Sequence, residues 1–206
     1  MTKATKERLL DAAERLCAEH GIDGTSIRAI TDAAGANVAT VNFHFDGKAG
    51  LIQEMFVRRL KPLAAKRLEL LDALHADGGT PSASALLDAF MAPLLELMSR
   101  PDPNTQAFGR LFARTVVEPT EAIKNIFGGD LTAYSQAFLT AFENALPHLD
   151  RLELVLRLDF AIGAIAHALS DPTRRTALGV NPSPTQIQSS LKTFLVAGLE
   201  APTTSR

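Results

Sequence analysis

Residues 25–45 read Thr25-Ser26-Ile27-Arg28-Ala29-Ile30-Thr31-Asp32-Ala33-Ala34-Gly35-Ala36-Asn37-Val38-Ala39-Thr40-Val41-Asn42-Phe43-His44-Phe45. Thr25 precedes a helical pattern and can cap it through its hydroxyl; Asn37 can do the same for the next pattern, and Gly35 lies between the two. Two short helices joined by a tight glycine-containing turn make a helix-turn-helix, whose second helix enters a DNA major groove. On that second helix Val38, Val41 and Phe45 recur at three- and four-residue spacing and are expected to face Ile27 and Ile30. Ala39, Thr40, Asn42, Phe43 and His44 then form the outer face. An amide on such a face can bond adenine in two places, and Ala or Thr can touch a thymine methyl. On pattern alone, an ordinary three-helix bundle with a polar outer face fits equally well.

Outward from this stretch the same periodicity continues. Apolar residues recur at helical spacing in nearly every segment, strict alternation is absent, and the fold class is all-α. Glycine and proline divide the chain at 21–24, Gly35, Asp46-Gly47, 78–81, 100–103, Glu118-Pro119, Gly128-Gly129, Pro147 and 171–184. About nine helices are expected, over 5–20, 26–34, 38–45, 48–74, 82–99, 104–117, 119–146 with a glycine break, 150–170 and 185–198. Asp150 reads as the cap of the eighth. The first three are short and tightly connected, which gives a head over 1–47 and a helical body over 48–206, linked by the helix 48–74.

The chain has 206 residues, 46% of them hydrophobic and 21% charged, which suits one or two globular domains and excludes a disordered chain. A net charge of −2 excludes nucleic-acid binding by bulk charge, although the first 61 residues carry nine Lys or Arg against eight Asp or Glu. The single cysteine, Cys17, falls on the inward face of the first helix and is expected to be a buried, inert thiol. With no signal-peptide pattern and no run of about 18 apolar residues, a soluble cytoplasmic protein is expected, without a membrane partner. No phosphate-cradling glycine loop, H-E-x-x-H or Gly-x-Ser-x-Gly occurs, and His20, His75 and His148 lack metal-ligand spacing. The expectation is no enzyme, no metal and no cofactor.

The runs Thr25-Ser26-Ile27-Arg28-Ala29-Ile30, Ala33-Ala34-Gly35-Ala36-Asn37 and Val41-Asn42-Phe43-His44-Phe45-Asp46-Gly47-Lys48-Ala49-Gly50-Leu51 resemble the N-terminal signature of TetR-family transcriptional regulators over residues 5–60. The resemblance implies that the helix containing Thr40 reads the groove. It also implies that Thr25, Phe43 and His44 touch phosphates and that Lys48 holds one at the start of the fourth helix. It implicates Thr25, Arg28, Asn37, Thr40, Phe43, His44 and Lys48 in DNA binding, and the outer-face reading adds Asn42 as a candidate base contact. The family's two tyrosines are here Asn42 and Phe43, and Gly47-Lys48-Ala49 lacks the common Ser or Asn cap, so the fourth helix is expected to start less firmly. The Val-Asn-aromatic-His-Phe variant is similar to PsrA-like fatty-acid-responsive repressors. A weaker likeness continues at Phe108-Gly109-Arg110-Leu111, at 160–164 and at 194–202.

What these likenesses imply is a dimeric repressor released from palindromic double-stranded DNA by a small apolar effector, a fatty acid or acyl-CoA. Met91, Leu95, Met98, Phe108, Phe112, Phe138, Phe142 and Phe160 are candidates to line an apolar pocket, with Arg110, Arg114 or His167 as polar contacts. Most of these side chains read equally well as ordinary core, and Arg114 equally well as a partner of Glu118. The homodimer interface is expected on the last two long helices. Ala161, Gly163, Ala164 and Ala168 keep one of them thin, and Ile187, Leu191, Phe194, Leu195 and Gly198 form a strip on the other. The competing readings are an apolar-ligand carrier and a helical adaptor that binds protein through the head.

Overall fold

The computed structural model describes residues 3–203 apart from 77, 99–101, 118–120, 130 and 171–172; side chains at 3, 98, 103, 104, 106, 110, 117, 122, 127, 169, 170, 173 and 174 are outside the description. Eleven helices and no strand occur among the described residues. They are α1 Lys3–Gly24, α2 Ile27–Ala34, α3 Val38–Phe45, α4 Lys48–His75, α5 Ala83–Met98, α6 Pro103–Val117, α7 Glu121–Gly128, α8 Thr132–Ala145, α9 Arg151–Ser170, α10 Thr173–Ala177 and α11 Pro184–Glu200. The number exceeds the expected nine for two reasons. The helix anticipated over 119–146 divides at Gly128-Gly129, and a short α10 forms in the stretch read as a break. Asp150 caps α9 as expected, its Oδ1 accepting the Glu153 N–H at 2.8 Å.

Two compact units result, Met1–Pro62 with Leu97–Thr132 and Leu63–Glu96 with Ala133–Arg206. In the first, α1 packs on α2 and on α6, and α2 packs on α3. Leu9, Leu10, Ala13 and Cys17 of α1, Ile30 of α2, Val41 and Phe45 of α3, and Leu51, Met55 and Phe56 of α4 are buried there. Phe56 meets Phe108 of α6 with ring centroids 5.9 Å apart.

The most polar feature of this core is Glu14, only 1% exposed. Arg59 grips its carboxylate through Nη2 at 2.6 Å and Nε at 3.1 Å, and Arg58 reaches the same group through Nη2 at 2.9 Å. Arg58 also donates to Asp11 at 2.8 Å and to Glu7 at 3.2 Å. Positions 7, 11 and 14 share one face of α1, so a single stripe of acids meets an arginine pair on α4. Burial opposes the Arg58 charge, but hydrogen bonds to Asp11 and Glu14 outweigh it and push its pKa up. Lys6 adds a tie to Glu54 at 2.7 Å.

In the second unit Leu63, Ala64 and Leu71 of α4, Leu86, Leu87 and Met91 of α5, Phe138 and Phe142 of α8, and Leu154 and Ile165 of α9 are buried. Helix α11 packs on α9. Arg157 of α9 gathers the carbonyls that end α11. Its Nη1 donates to Gly198, Leu199 and Ala201 at 2.9, 3.2 and 2.6 Å, and its Nη2 to Pro202 at 2.9 Å. Those carbonyls have no partner within their own helix, and a cation at a helix C-terminus also complements the macrodipole. Two residues expected on a dimer face, Ala161 and Leu195, are instead buried within the chain, because α9 and α11 use that side against each other and their neighbours.

Removing one partner from a buried, hydrogen-bonded ion cluster leaves uncompensated charge in a dry site. Glu14→Ala is therefore expected to destabilise the protein by about 3–5 kcal/mol in urea unfolding. A loss below about 1 kcal/mol would put the cluster in the class of exposed ion pairs.

Candidate nucleic-acid interface

The sequence between α1 and α4 fixes the helix-turn-helix by a chain of local hydrogen bonds. Thr25 does not cap α2. Its hydroxyl turns back to the Gly21 carbonyl at 2.7 Å and is buried, and Ser26 takes the cap, its Oγ accepting the Ala29 N–H at 3.1 Å. Gly35 ends α2 at φ 58°, ψ 44°, the left-handed conformation that glycine adopts without a Cβ penalty. Arg8 donates through Nε to the Ala34 carbonyl at 3.0 Å, closing the same helix end from α1. Asn37 caps α3 as expected, its Oδ1 accepting from the Thr40 N–H at 2.9 Å and the Thr40 hydroxyl at 3.0 Å.

Those two hydrogen bonds hold Thr40 on the inner side of α3. The expected face had Thr40 and His44 outside and Val38 inside. In the structure Thr40 is 2% exposed and His44 half-buried, while Val38 is 37% exposed. At about 100° per residue, positions 40, 41, 44 and 45 form one side of the helix and 38, 39, 42 and 43 the other. Val41 and Phe45 must be inside, so Thr40 and His44 go with them. The outer face is Val38, Ala39, Asn42 and Phe43, with Phe43 77% exposed. Arg28 of α2 is also exposed, as is Asn37. The His44 ring lies 5.0 Å from that of Phe43, edge-on, and its buried Nε2 has no hydrogen-bond partner among the described residues.

Lys48 is half-buried, and its ammonium donates to the Ile22 carbonyl at 2.7 Å, tying the start of α4 to the end of α1. It also lies near Cys17, whose thiol is pushed up by burial against the weaker opposing effects of the Thr25 hydroxyl and the Lys48 charge. Between α3 and α4 the chain turns through Asp46 at φ 55° and Gly47 at φ 98°. Gly50 follows where a Cβ would fall 1.7 Å from the Phe45 carbonyl oxygen, closer than any side chain can sit.

The candidate effector residues fall in both units. Phe108 is buried and Phe112 half-buried in the first, with Arg114 exposed on the same helix; the Arg110 side chain is outside the described residues. In the second, Met91, Phe138 and Phe142 are buried and Leu95 is half-buried; Met98 belongs to the first unit, and its side chain is outside the description. Phe160 is not interior. It is 69% exposed on the outer side of α9, beside exposed Leu152, Leu156 and His167, and Phe194 of α11 is equally exposed. Of the expected interface residues, Ile187 and Leu191 are half-buried and Gly198 exposed on the Phe194 side of α11; Ala164 and Ala168 of α9 are half-buried.

Sequence reasoning missed a polar cluster in the second unit. Arg67 of α4, 8% exposed, donates through Nε to the Phe90 carbonyl at 2.6 Å and through Nη1 to the Tyr134 hydroxyl at 2.8 Å. Its guanidinium carbon stands 3.9 Å from the Phe90 ring centroid. Phe90, Tyr134 and Phe138 touch one another, at centroid separations of 5.3–6.4 Å. Burial lowers the Arg67 pKa and raises that of Tyr134 to about 12, the second effect opposed by the Arg67 charge and hydrogen bond. Positions 67, 90 and 134 meet only through tertiary packing, so no local pattern signals them.

Residues 9–55 match the family model described as Bacterial regulatory proteins, tetR family, and residues 88–198 match Tetracyclin repressor-like, C-terminal domain. The chain is 31% identical over 88 residues to the HTH-type transcriptional regulator BetI of Vibrio campbellii, covering 43% of this chain and 44% of that one. It is 36% identical over 66 residues to the HTH-type transcriptional repressor KstR2 of Rhodococcus jostii, covering 32% of each. It thus spans less than half the length of these curated relatives. Among solved structures, the fatty acid degradation regulator FadR of Bacillus halodurans has the same fold at a TM-score of 0.66 and 17% identity, with 97% of this chain and 98% of that one covered. The TetR-family regulator SCO4454 of Streptomyces coelicolor gives a TM-score of 0.55 at 20% identity, with 96% and 95% covered.

Gly50→Ala is expected to destabilise the protein by about 3 kcal/mol, at the upper end of overpacking costs. Thermal unfolding checks this. An unchanged melting temperature would show that the Phe45–Gly50 approach opens without cost.

Proposed function

The chain belongs to the tetR family of bacterial regulatory proteins, and from that premise we propose that it is a dimeric transcriptional repressor that holds a palindromic duplex and leaves it when a small apolar effector binds. The observation that carries this reading is the outer face of α3, where Val38, Ala39, Asn42 and Phe43 stand clear of the head on a helix fixed at both ends by caps. A duplex major groove admits one helix, and an exposed amide flanked by small apolar groups is suited to reading base edges there. Asn42 is assigned to base contact. Phe43 and Arg28 are assigned to the backbone on either side. Thr25, Thr40, His44 and Lys48 act from behind this surface, holding α3 and the start of α4 in place, and Asn37 combines its cap with an exposed position.

In this reading residues 1–47 are the DNA-binding domain and 48–206 the ligand-binding and dimerisation domain, with α4 belonging to both. Two-fold symmetry suits the outer sides of α9 and α11. Leu152, Leu156 and Phe160 follow one stripe of α9, and Ile187, Leu191, Phe194 and Gly198 one stripe of α11. A Cβ at Gly163 or Gly198 would meet nothing within 4 Å in the isolated chain, which leaves room for a second copy to approach closely. The effector reading draws on the buried Met91, Phe138 and Phe142 and on the likeness to a fatty acid degradation regulator, and it points to fatty acids or acyl-CoA esters in the cytoplasm. No described helix is long and apolar enough to cross a membrane.

Salt-dependent binding to mixed-sequence duplex DNA, followed by fluorescence anisotropy, tests the reading. Each phosphate contact contributes close to one unit to the slope of log affinity against log salt. Arg28→Ala should lower that slope by about one unit, whereas Asn42→Ala should leave it unchanged and relax base preference at one position. Phe160→Glu combined with Phe194→Glu should yield a folded monomer in sedimentation with weakened duplex binding. A variant of that kind that stays dimeric would overturn the α9/α11 interface, and salt-independent duplex binding would overturn the groove assignment.

A further inference from the structure

Arg67 is a buried cation held entirely by neutral groups. Its recorded partners are a carbonyl, a phenol and two aromatic faces, and no carboxylate pairs with it among the described residues. Contrast Arg58 and Arg59 in the first unit, whose charge is met by Glu14 directly. An isolated ion away from water is costly, and neutral dipoles offset only part of that cost. A guanidinium has five N–H donors, and the Phe90 carbonyl and the Tyr134 hydroxyl take two. The three without a partner among the described residues are all on Nη1 and Nη2, the planar fork that binds a carboxylate through two parallel bonds. Against it stand Phe90, Tyr134 and Phe138, a contiguous aromatic wall.

We propose that Arg67 is the anchor of an effector site in the second unit, and that its ligand is an organic carboxylate with an apolar body: the carboxylate pairs with the Arg67 fork and the body lies against Phe90, Tyr134 and Phe138. This rests on the effector reading above and narrows it, since it requires a free acid and excludes a neutral ester or thioester as the group recognised at this point. Tyr134 orients the fork. It stays a phenol at neutral pH, its pKa raised to about 12 chiefly by burial, so it brings no competing negative charge. Because Arg67 lies on α4, the helix that begins with Lys48, the proposed anchor is on the element whose first turn is tied to the head.

The test is calorimetric titration of the full-length protein with octanoate, dodecanoate and 3-phenylpropanoate, each compared with its neutral primary amide. A hydrogen-bonded charge pair in such a site favours the acid by tenfold or more, so at least one acid should bind about tenfold or more tightly than its amide. Arg67→Met should abolish that preference while leaving amide binding within a few-fold, and Arg67→Lys should retain part of it. The acid-to-amide comparison on the unmodified protein needs no variant, so it stands even if Arg67→Met fails to fold. Equal binding of acid and amide, no binding by any acid, or an undiminished preference in Arg67→Met would each overturn the proposal. Anisotropy on duplex DNA separates this from the regulatory reading. Acids that bind through Arg67 without weakening DNA binding would uphold the anchor and overturn effector release.

Discussion

The buried Glu14 carboxylate is the constraint on which the proposed DNA-binding surface rests. A carboxylate at 1% exposure is tolerable only with its charge matched, and Arg58 and Arg59 match it from α4, more than forty residues along the chain. Once α1 and α4 are locked, the smaller ties have fixed ends: Lys48 on Ile22 and Lys6 on Glu54 between those two helices, and Arg8 of α1 on the last carbonyl of α2. Two helices of eight residues each are too short to be stable in isolation. Here α2 and α3 are held by caps at their ends and by a frame whose geometry a buried ion cluster sets.

Much of this was readable from the sequence, because it is local. The glycine and proline breaks, the Asn37 and Asp150 caps and the helix-turn-helix itself depend on residues within a few positions of one another. What escaped reading depends on choices among similar neighbours or on distant pairing. Thr25 and Ser26 are both capable caps, and in the structure the threonine hydroxyl bonds the Gly21 carbonyl while the serine takes the cap. The orientation of α3 turned on Thr40, whose polar side chain suggests an outer face, while its bond to Asn37 satisfies the hydroxyl within the head. Phe160 shows the converse. An aromatic residue at helical spacing reads as core, yet it lies outside on α9.

The first unit has the half-buried Arg58 and Arg59 and the second the buried Arg67, and the difference between them separates structure from proposed function. In the first unit Arg58 and Arg59 each meet the Glu14 carboxylate, and within that cluster only the buried Nε of Arg58 has no hydrogen-bond partner among the described residues. In the second, the partners of Arg67 among the described residues are neutral and leave three of its N–H donors free, which is what the proposed anion recognition uses. For an effector to act, it must bind one arrangement of the heads more tightly than the other, and DNA must then oppose the effector by the same factor. Pro62 sits in α4 at the last residue of the first unit's opening segment, and it has no N–H with which to bond the Arg58 carbonyl. Helix α4, which runs from the first unit into the second, therefore has a gap in its hydrogen-bond ladder next to the ion cluster.

On the proposed reading the outer face of α3, doubled by two-fold symmetry, recognises DNA as a pair of half-sites. Selection of duplexes from a random pool by the full-length protein, followed by sequencing of the bound fraction, measures this most directly. The account predicts enrichment of two inverted half-sites whose centres lie about 34–36 Å, one helical turn, or a multiple of it apart. A bound fraction with the same sequence distribution as the starting pool, or one enriched in a single site without two-fold symmetry, would contradict it.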